Sequence, residues 1–322
     1  MPDGKTNRAP VVSVGLPVFN GEAYLAHAID SILSQDFGDL ELIISDNSST
    51  DGTGDLCRSY VSRDPRVRYF RNERNMGPVW NYNRVFELSS GKYYMWAAHD
   101  DYWEPEYLRV CVEALEKDAK VVLAGTLCRC IDPLTDVVIV VDTGLSTAGL
   151  SPRERFRQYK SIIHAGKYVG GLFYGLYRRN VLERSMPLQN KITIDHILLS
   201  SMCLYGDFVT IARPLMTKRW GGASTSIKNI ARTLGIENKF EILFPYVDRE
   251  LMLQRTIYST DVFSGCERAG ASLESFAEFV RAEGVMLLGR VWRSLPRWIR
   301  RPVKQMMKRS SASRKDVREE QR

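Results

Sequence analysis

The sequence predicts an α/β protein built on a mostly parallel, Rossmann-like sheet flanked by helices, with a helical C-terminal extension. Three observations carry that expectation. Apolar strand patterns at residues 11–16, 40–45 and 67–70 alternate with helical spacings. Such a β-α-β-α-β order calls for parallel strands joined by right-handed crossovers. Loops of amides, hydroxyls and acids stand just past the first two strands, and a further apolar run, residues 93–98, ends on adjacent carboxylates, Asp100 and Asp101. Ligands of open α/β sheets gather at the carboxyl ends of strands, which makes these loops the expected binding edge.

The elements follow in order. After the first strand, Leu25, Ile29, Ile32 and Leu33 share a helical face. A helix over 54–62 follows the second strand, and one over 79–88 the third, with Asn81 and Arg84 one turn apart. Beyond the acid pair come a helix over 104–117 and two β-rich stretches, 121–130 and 137–141, paired across an Asp132-Pro133 turn. From Ser151 the spacing predicts a helix over 152–160, a glycine-containing loop with His164 and Lys167, a strand over 173–177, and a short helix from Arg178 that ends before Pro187. Lys191-Ile192-Thr193-Ile194-Asp195-His196 opens another helix, where Asp195 by itself reads as a cap. A strand over 209–212, a basic glycine-rich loop over 218–226, and helices from Thr233 to Phe279 complete the body.

Composition sets limits on function. The chain has 322 residues, 44% apolar and 26% charged, and no stretch approaches the ~20 apolar residues of a membrane span. Six cysteines include no Cys-x-x-Cys pair, which speaks against zinc and redox chemistry and suits a reducing compartment. The net charge of +7 is uneven. Residues 281–322 hold 13 Lys and Arg against 4 Asp and Glu, leaving 32 against 34 before them, so the body is not a nucleic-acid surface. No Gly-x-Gly-x-x-Gly follows the first strand, which disfavours a dinucleotide-dependent dehydrogenase.

The motifs, taken as an ordered set, resemble the inverting family 2 glycosyltransferases of the GT-A fold. The resemblance covers residues 11–226. It rests on Val12-Ser13-Val14-Gly15-Leu16-Pro17-Val18-Phe19-Asn20-Gly21-Glu22, on Ser45-Asp46-Asn47-Ser48-Ser49-Thr50-Asp51-Gly52-Thr53, on Asn75-Met76-Gly77 with Asn83, and on Asp100-Asp101 with Pro105. It implies a nucleotide-diphosphate sugar donor held by Pro17, Phe19, Asn20, Glu22, Asp46, Ser48, Asn75, Gly77, Asn83, Asp100 and Arg219. Asp46 would accept a hydrogen bond from the base, a role that suits a uracil- or thymine-type imide N–H and hence a UDP- or dTDP-sugar. Asp101, with Asp100, would hold a divalent cation, Mg²⁺ or Mn²⁺, with His99 either a further ligand or a spacer. Asp195 would be the general base toward the acceptor hydroxyl. The chain departs from the family pattern at Ala98, Ile194 and Gly221.

The implied activity is transfer of a sugar to a glycan or lipid-linked acceptor in surface-polysaccharide biosynthesis. Its alternatives are transfer to a polyprenyl phosphate and a non-catalytic nucleotide-sugar-binding role. The implied organisation is a disordered N-terminus over 1–10 and a transferase domain over 11–232, split into a nucleotide-sugar half (11–105) and an acceptor half (106–232). A helical region follows over 233–309, then a disordered tail over 310–322. The first residues lack the apolar stretch of a signal peptide, so a cytoplasmic protein is expected. Residues 284–309 interleave Trp292, Trp298, Ile299, Met306 and Met307 with arginines and lysines, a mixture suited to peripheral association with an anionic inner leaflet. The helices after Thr233 offer a surface for homo-oligomers.

Overall fold

Four parallel strands form the first half of the sheet: β1 (Val12–Val18), β2 (Leu40–Asp46), β3 (Val67–Arg71) and β4 (Tyr93–Trp96), in the order β3-β2-β1-β4. Every residue of β1, β2 and β4 is buried, as strands covered by helices on both faces must be. The covering helices are α1 (Glu22–Leu33), α2 (Thr53–Arg63) and α3 (Pro78–Glu87). The structure, a computed structural model, describes residues 8–132, 134–141, 144–164, 170–220, 226–238, 245–259, 262, 268–272 and 275.

The second half is mixed. It comprises β5 (Tyr102–Trp103), α4 (Tyr107–Lys117), β6 (Val121–Ile131), β7 (Val138–Val141), α5 (Pro152–His164), β8 (Leu176–Arg178), α6 (Arg179–Leu182), α7 (Ile194–Tyr205), β9 (Asp207–Arg219), α8 (Ile227–Thr233) and α9 (Pro245–Ser259). In it β6 and β9 pair in parallel, and the other pairings are antiparallel. The full order is β3-β2-β1-β4-β8-β6-β9-β5, with β7 on β6 as the expected hairpin partner. Three expectations are corrected. The strand predicted over 173–177 is a 3-10 turn (Gly170–Tyr174) followed by β8. The helix predicted from residue 104 starts at Tyr107, because Tyr102 and Trp103 first pair with Thr217 and Met216 of β9. The strand predicted over 209–212 spans thirteen residues, through the solvent-facing stretch Ala212-Arg213-Pro214 where β6 and β9 slip register.

Two cores lie on opposite faces of the sheet. One packs α1 and α4 against Val14, Leu16, Leu42 and Ile44; the other gathers Ile43, Phe86, Tyr94, Trp96, Phe173 and Tyr177. In the second, Trp96 stacks on Phe173 at 5.3 Å between ring centres and donates its indole N–H to the Tyr82 carbonyl at 3.0 Å. A buried indole needs such a partner, and this one fixes the α3 turn that carries Tyr82. At the other end, Lys160 of α5 and Glu250 of α9, both buried, pair at 2.9 Å.

α3 begins at Gly77, which adopts φ +86 and ψ 160, a region that essentially only glycine enters. A Cβ there would meet nothing within 4 Å, so the constraint lies in the backbone alone. Gly77→Ala is expected to cost about 1–3 kcal/mol in urea denaturation. A loss under a few tenths would show that the turn relaxes freely.

The chain divides into units Met1–Ala271 and Ser272–Arg322, and only Ser272 and Ser275 of the second are described. The basic segment over 284–309 and the tail over 310–322 lie outside the described residues. Among the described residues no helix is long and apolar enough to cross a membrane.

Candidate active site

The loops past β1 and β2 are locked to each other. Asn20 and Ser48 take left-handed backbone conformations, φ 52 and 66, which turn the chain sharply at each strand end. The Asn20 side-chain oxygen accepts the Thr50 N–H at 2.8 Å, and Ser49 Oγ accepts the Asn20 N–H at 2.9 Å. Thr53 Oγ1 accepts the Gly21 N–H, and the Glu22 carboxylate accepts the Gly52 N–H, both at 2.9 Å. Asn20 and Glu22 therefore tie loop to loop. From α3, Asn81 donates to the Ser45 carbonyl at 2.8 Å and anchors the helix to the end of β2.

This framework opens a cavity of about 500 Å³ whose wall includes Pro17, Phe19, Asn47, Asn75, Gly77, His99 and Asp100. Asn20, Glu22, Asp46, Ser48, Asn83 and Arg219 stand off that wall. Asp46 is fully buried; its carboxylate accepts the Ser49 N–H at 2.7 Å, the Tyr69 hydroxyl at 2.8 Å and the Arg71 guanidinium at 2.6 Å. Asn83 grips the backbone of Leu188 from both sides, donating to its carbonyl at 2.9 Å and accepting its N–H at 2.8 Å. The wall position beside Asp46 belongs to Asn47, which donates to Asn75 Oδ1 at 2.8 Å and to the Gly77 carbonyl at 3.1 Å.

Asp100 faces the cavity, while Asp101 is buried behind it. Asp101 Oδ1 accepts the Arg219 backbone N–H at 3.1 Å, and Oδ2 has no partner among the described residues. Burial pushes the Asp101 carboxyl up to about 7, against the pull of Lys218 and with help from Asp100. The β5–β9 pairing brings Arg219 here. Its guanidinium lies over the rings of Tyr24 and Tyr102, 4.8 and 5.7 Å from their centres, with Nε and Nη1 unpartnered among the described residues.

A second cavity, about 420 Å³, holds Asp195, Lys218, Arg219 and Trp220 among apolar walls from Ile192, Ile194, Leu188 and Phe173. The two cavities share Pro78, Tyr82 and Tyr174. Asp195 sits in the first turn of α7, where its Oδ1 accepts the His196 N–H at 2.8 Å. His164 and Lys167 cannot be placed against this cavity, since the His164 side chain and the whole of Lys167 lie outside the described residues. Sequence reasoning missed Tyr82 and Tyr174, which carry no motif of their own. Only their position beside Asn81 and beside Gly175 of the tight turn marks them.

His196 is enclosed by Tyr159 of α5, whose hydroxyl lies 3.1 Å from Nδ1, by Arg249 of α9, and by Asp195. Burial holds the imidazole below its ordinary 6.5, Asp195 opposing and Arg249 reinforcing the shift. The unfolded chain takes up a proton near pH 6.5 that the folded imidazole resists. This group's stabilisation is thus present above that pH and lost as the pH falls below it. Melting temperature should drop between about pH 7.5 and 5.5, and His196→Asn should flatten the drop. An unchanged slope in the variant would remove His196 from the account.

A parallel half with a cavity at its strand ends, joined to a mixed half carrying an acid-headed helix, is the GT-A architecture. The structure superposes on Staphylococcus aureus TarS 1-349 in complex with UDP-GlcNAc at a TM-score of 0.59, with 15% identity over 84% of this chain and 72% of that one. The chain belongs to glycosyl transferase family 2, whose family model matches residues 13–184. In sequence it is 32% identical over 125 residues to chondroitin synthase of Escherichia coli, covering 39% of this chain and 18% of that protein. It is 39% identical over 93 residues to the GalNAc(5)-diNAcBac-PP-undecaprenol beta-1,3-glucosyltransferase of Campylobacter jejuni, covering 29% of this chain and 30% of that protein. The matched stretches thus span less than a third of either relative.

Proposed function

We propose that the protein transfers a sugar from a nucleoside-diphosphate sugar to an acceptor hydroxyl by a single inverting displacement, in the assembly of a surface glycan. One observation carries this reading: a cavity bearing Asp100 meets a cavity bearing Asp195 along a shared wall of Pro78, Tyr82 and Tyr174. Donor and acceptor placed in the two would face each other across that wall. The names of the two relatives, one a polymer synthase and one acting on an undecaprenol-linked glycan, support the substrate class.

In this reading Pro17 and Phe19 hold the nucleoside, and Asp46, Glu22 and Asn83 hold the loops that shape its site. Arg219, on the wall of the second cavity, would approach the diphosphate oxygens from that side. Asp195 accepts the proton of the acceptor hydroxyl at Oδ2, since Oδ1 is engaged by the His196 N–H.

A hard divalent cation fits the acid pair. Asp101 Oδ2 is a buried carboxylate oxygen without a partner among the described residues, and Asp100 stands beside it on the cavity wall. Among the described residues no three acidic, thiol or imidazole groups cluster as a protein-caged metal requires. Two carboxylates suit a cation completed by substrate phosphates and water. Bound there, it would neutralise the charge that builds on the departing diphosphate.

Thermal stabilisation by UDP, dTDP, GDP and CMP, each with Mn²⁺ or EDTA, tests the reading without an acceptor. A cation-dependent shift with one diphosphate supports it. No shift with any nucleotide would return the fold to a non-catalytic role. A second reading rests on the apolar lining of the second cavity, which suits an acceptor with an apolar portion, such as a polyprenyl phosphate attacking through a phosphate oxygen in place of the hydroxyl. Passage of labelled sugar into organic solvent would separate that acceptor from a glycan chain.

A further inference from the structure

One stripe of α7 leads away from Asp195. Ile194, Ile197, Leu198, Ser201 and Tyr205 recur at the spacing of a single helical face, and all five line a third cavity of about 270 Å³. Ile194 and Leu188 belong both to this wall and to that of the second cavity, so the two cavities adjoin. The ridge between them is fixed, because Asn83 holds the Leu188 backbone from both sides. The rise of the helix puts Tyr205 about 15 Å along its axis from Asp195.

The wall mixes polar and apolar groups. The Ser185 and Ser201 hydroxyl oxygens meet at 3.0 Å, and as rotating groups with spare lone pairs they can also bond a ligand hydroxyl. Gln189 is exposed, and its amide has no partner among the described residues. At the end of α7 the Arg184 guanidinium lies 4.1 Å from the centre of the Tyr205 ring, which makes a flat, stiff edge. Ile197 and Met252 supply apolar surface. A hydrocarbon chain here would cover the hydroxyls and the amide without bonding them. A sugar ring meets both kinds of surface, with hydroxyls on its rim and C–H groups on its faces. A volume below the about 300–1,000 Å³ of a complete small-molecule site suits one ring of a longer ligand.

Resting on the transfer reading above, in which the second cavity takes the acceptor, we propose that the third cavity binds the next sugar of a glycan acceptor. Gln189 and the serine pair bond its hydroxyls, and Tyr205 packs against its ring. α7 then carries the base at one end and a grip on the glycan behind the attacking sugar at the other. Acceptor affinity therefore grows from one sugar to two.

The test is saturation-transfer NMR on the full chain, with UDP and Mn²⁺ added to fill the donor cavity. The probes are the methyl glycosides of glucose, galactose, N-acetylglucosamine and glucuronic acid at millimolar concentration. At least one is expected to bind. Gln189→Ala should weaken it by about fivefold and Tyr205→Ala by about tenfold, as loss of a hydrogen bond and of a packing face predicts. Neither side chain lines the second cavity, and Gln189 has no described partner to lose, so its variant should melt like the natural protein. Binding that is unchanged in both variants places the sugar elsewhere and overturns the proposal, as does binding by none of the four probes. Thermal stabilisation by UDP with Mn²⁺, read on the same samples, separates that failure from failure of the reading beneath it.

Discussion

Asp195→Asn should lower kcat by about 10²- to 10⁴-fold, the usual contribution of a positioned general base, while leaving donor binding unchanged. The amide keeps the shape and retains an oxygen for the His196 N–H, so the start of α7 should hold and the melting temperature should barely move. What it lacks is basicity on a residue that lines the second cavity. The alternative acid, Asp207, is unsuited: its carboxylate is buried against Arg155 at 3.3 Å, and that guanidinium also caps the end of α7 through the Cys203 and Leu204 carbonyls. Donor hydrolysis and acceptor transfer should be measured side by side. Transfer within tenfold of the natural protein would make Asp195 a cap and send the search for a base elsewhere.

The parallel half was legible in the sequence because β1, β2 and β4 are buried throughout and read as short apolar-rich runs, with β3 marked by its place after the second helix. Asp100 and Asp195 were legible for a different reason: each follows an element boundary, the end of β4 and the start of α7, that turn chemistry and spacing mark. β5 was not, since two residues carry no periodicity and Tyr102 and Trp103 acquire strand character only from β9. The placement of Asp46 was available and overlooked. It shares the parity of Leu42 and Ile44, whose side chains enter the core on the α1 face, whereas Ile43 points to the α3 face where the cavity opens. Its partners Tyr69 and Arg71 come from β3, whose Arg71 is its register neighbour, and no local pattern announces that pairing.

Asp101→Asn should abolish the part of donor binding that requires a divalent cation, yet leave the ligand-free protein as stable as before or more so. The two effects separate because the carboxylate is isolated. Its Oδ1 takes the Arg219 N–H, which the amide oxygen can take equally well, and its Oδ2 has no partner to lose among the described residues. Burial already penalises the ionised form of this carboxyl, and a neutral amide escapes that penalty, whereas most buried polar substitutions break a bond and destabilise. A residue placed for folding would behave the other way, losing stability and keeping cation response. Melting curves with EDTA alone, then with UDP and Mn²⁺, read both halves in one plate. Unchanged cation-dependent stabilisation by UDP would remove Asp101 from the cation site, and a large loss of stability with EDTA alone would recast the orphan oxygen as bonded in solution. Asp100→Asn supplies the contrast: it lies on the cavity wall and should weaken the cation response without a comparable gain in stability, because a half-buried carboxylate carries less desolvation cost to relieve.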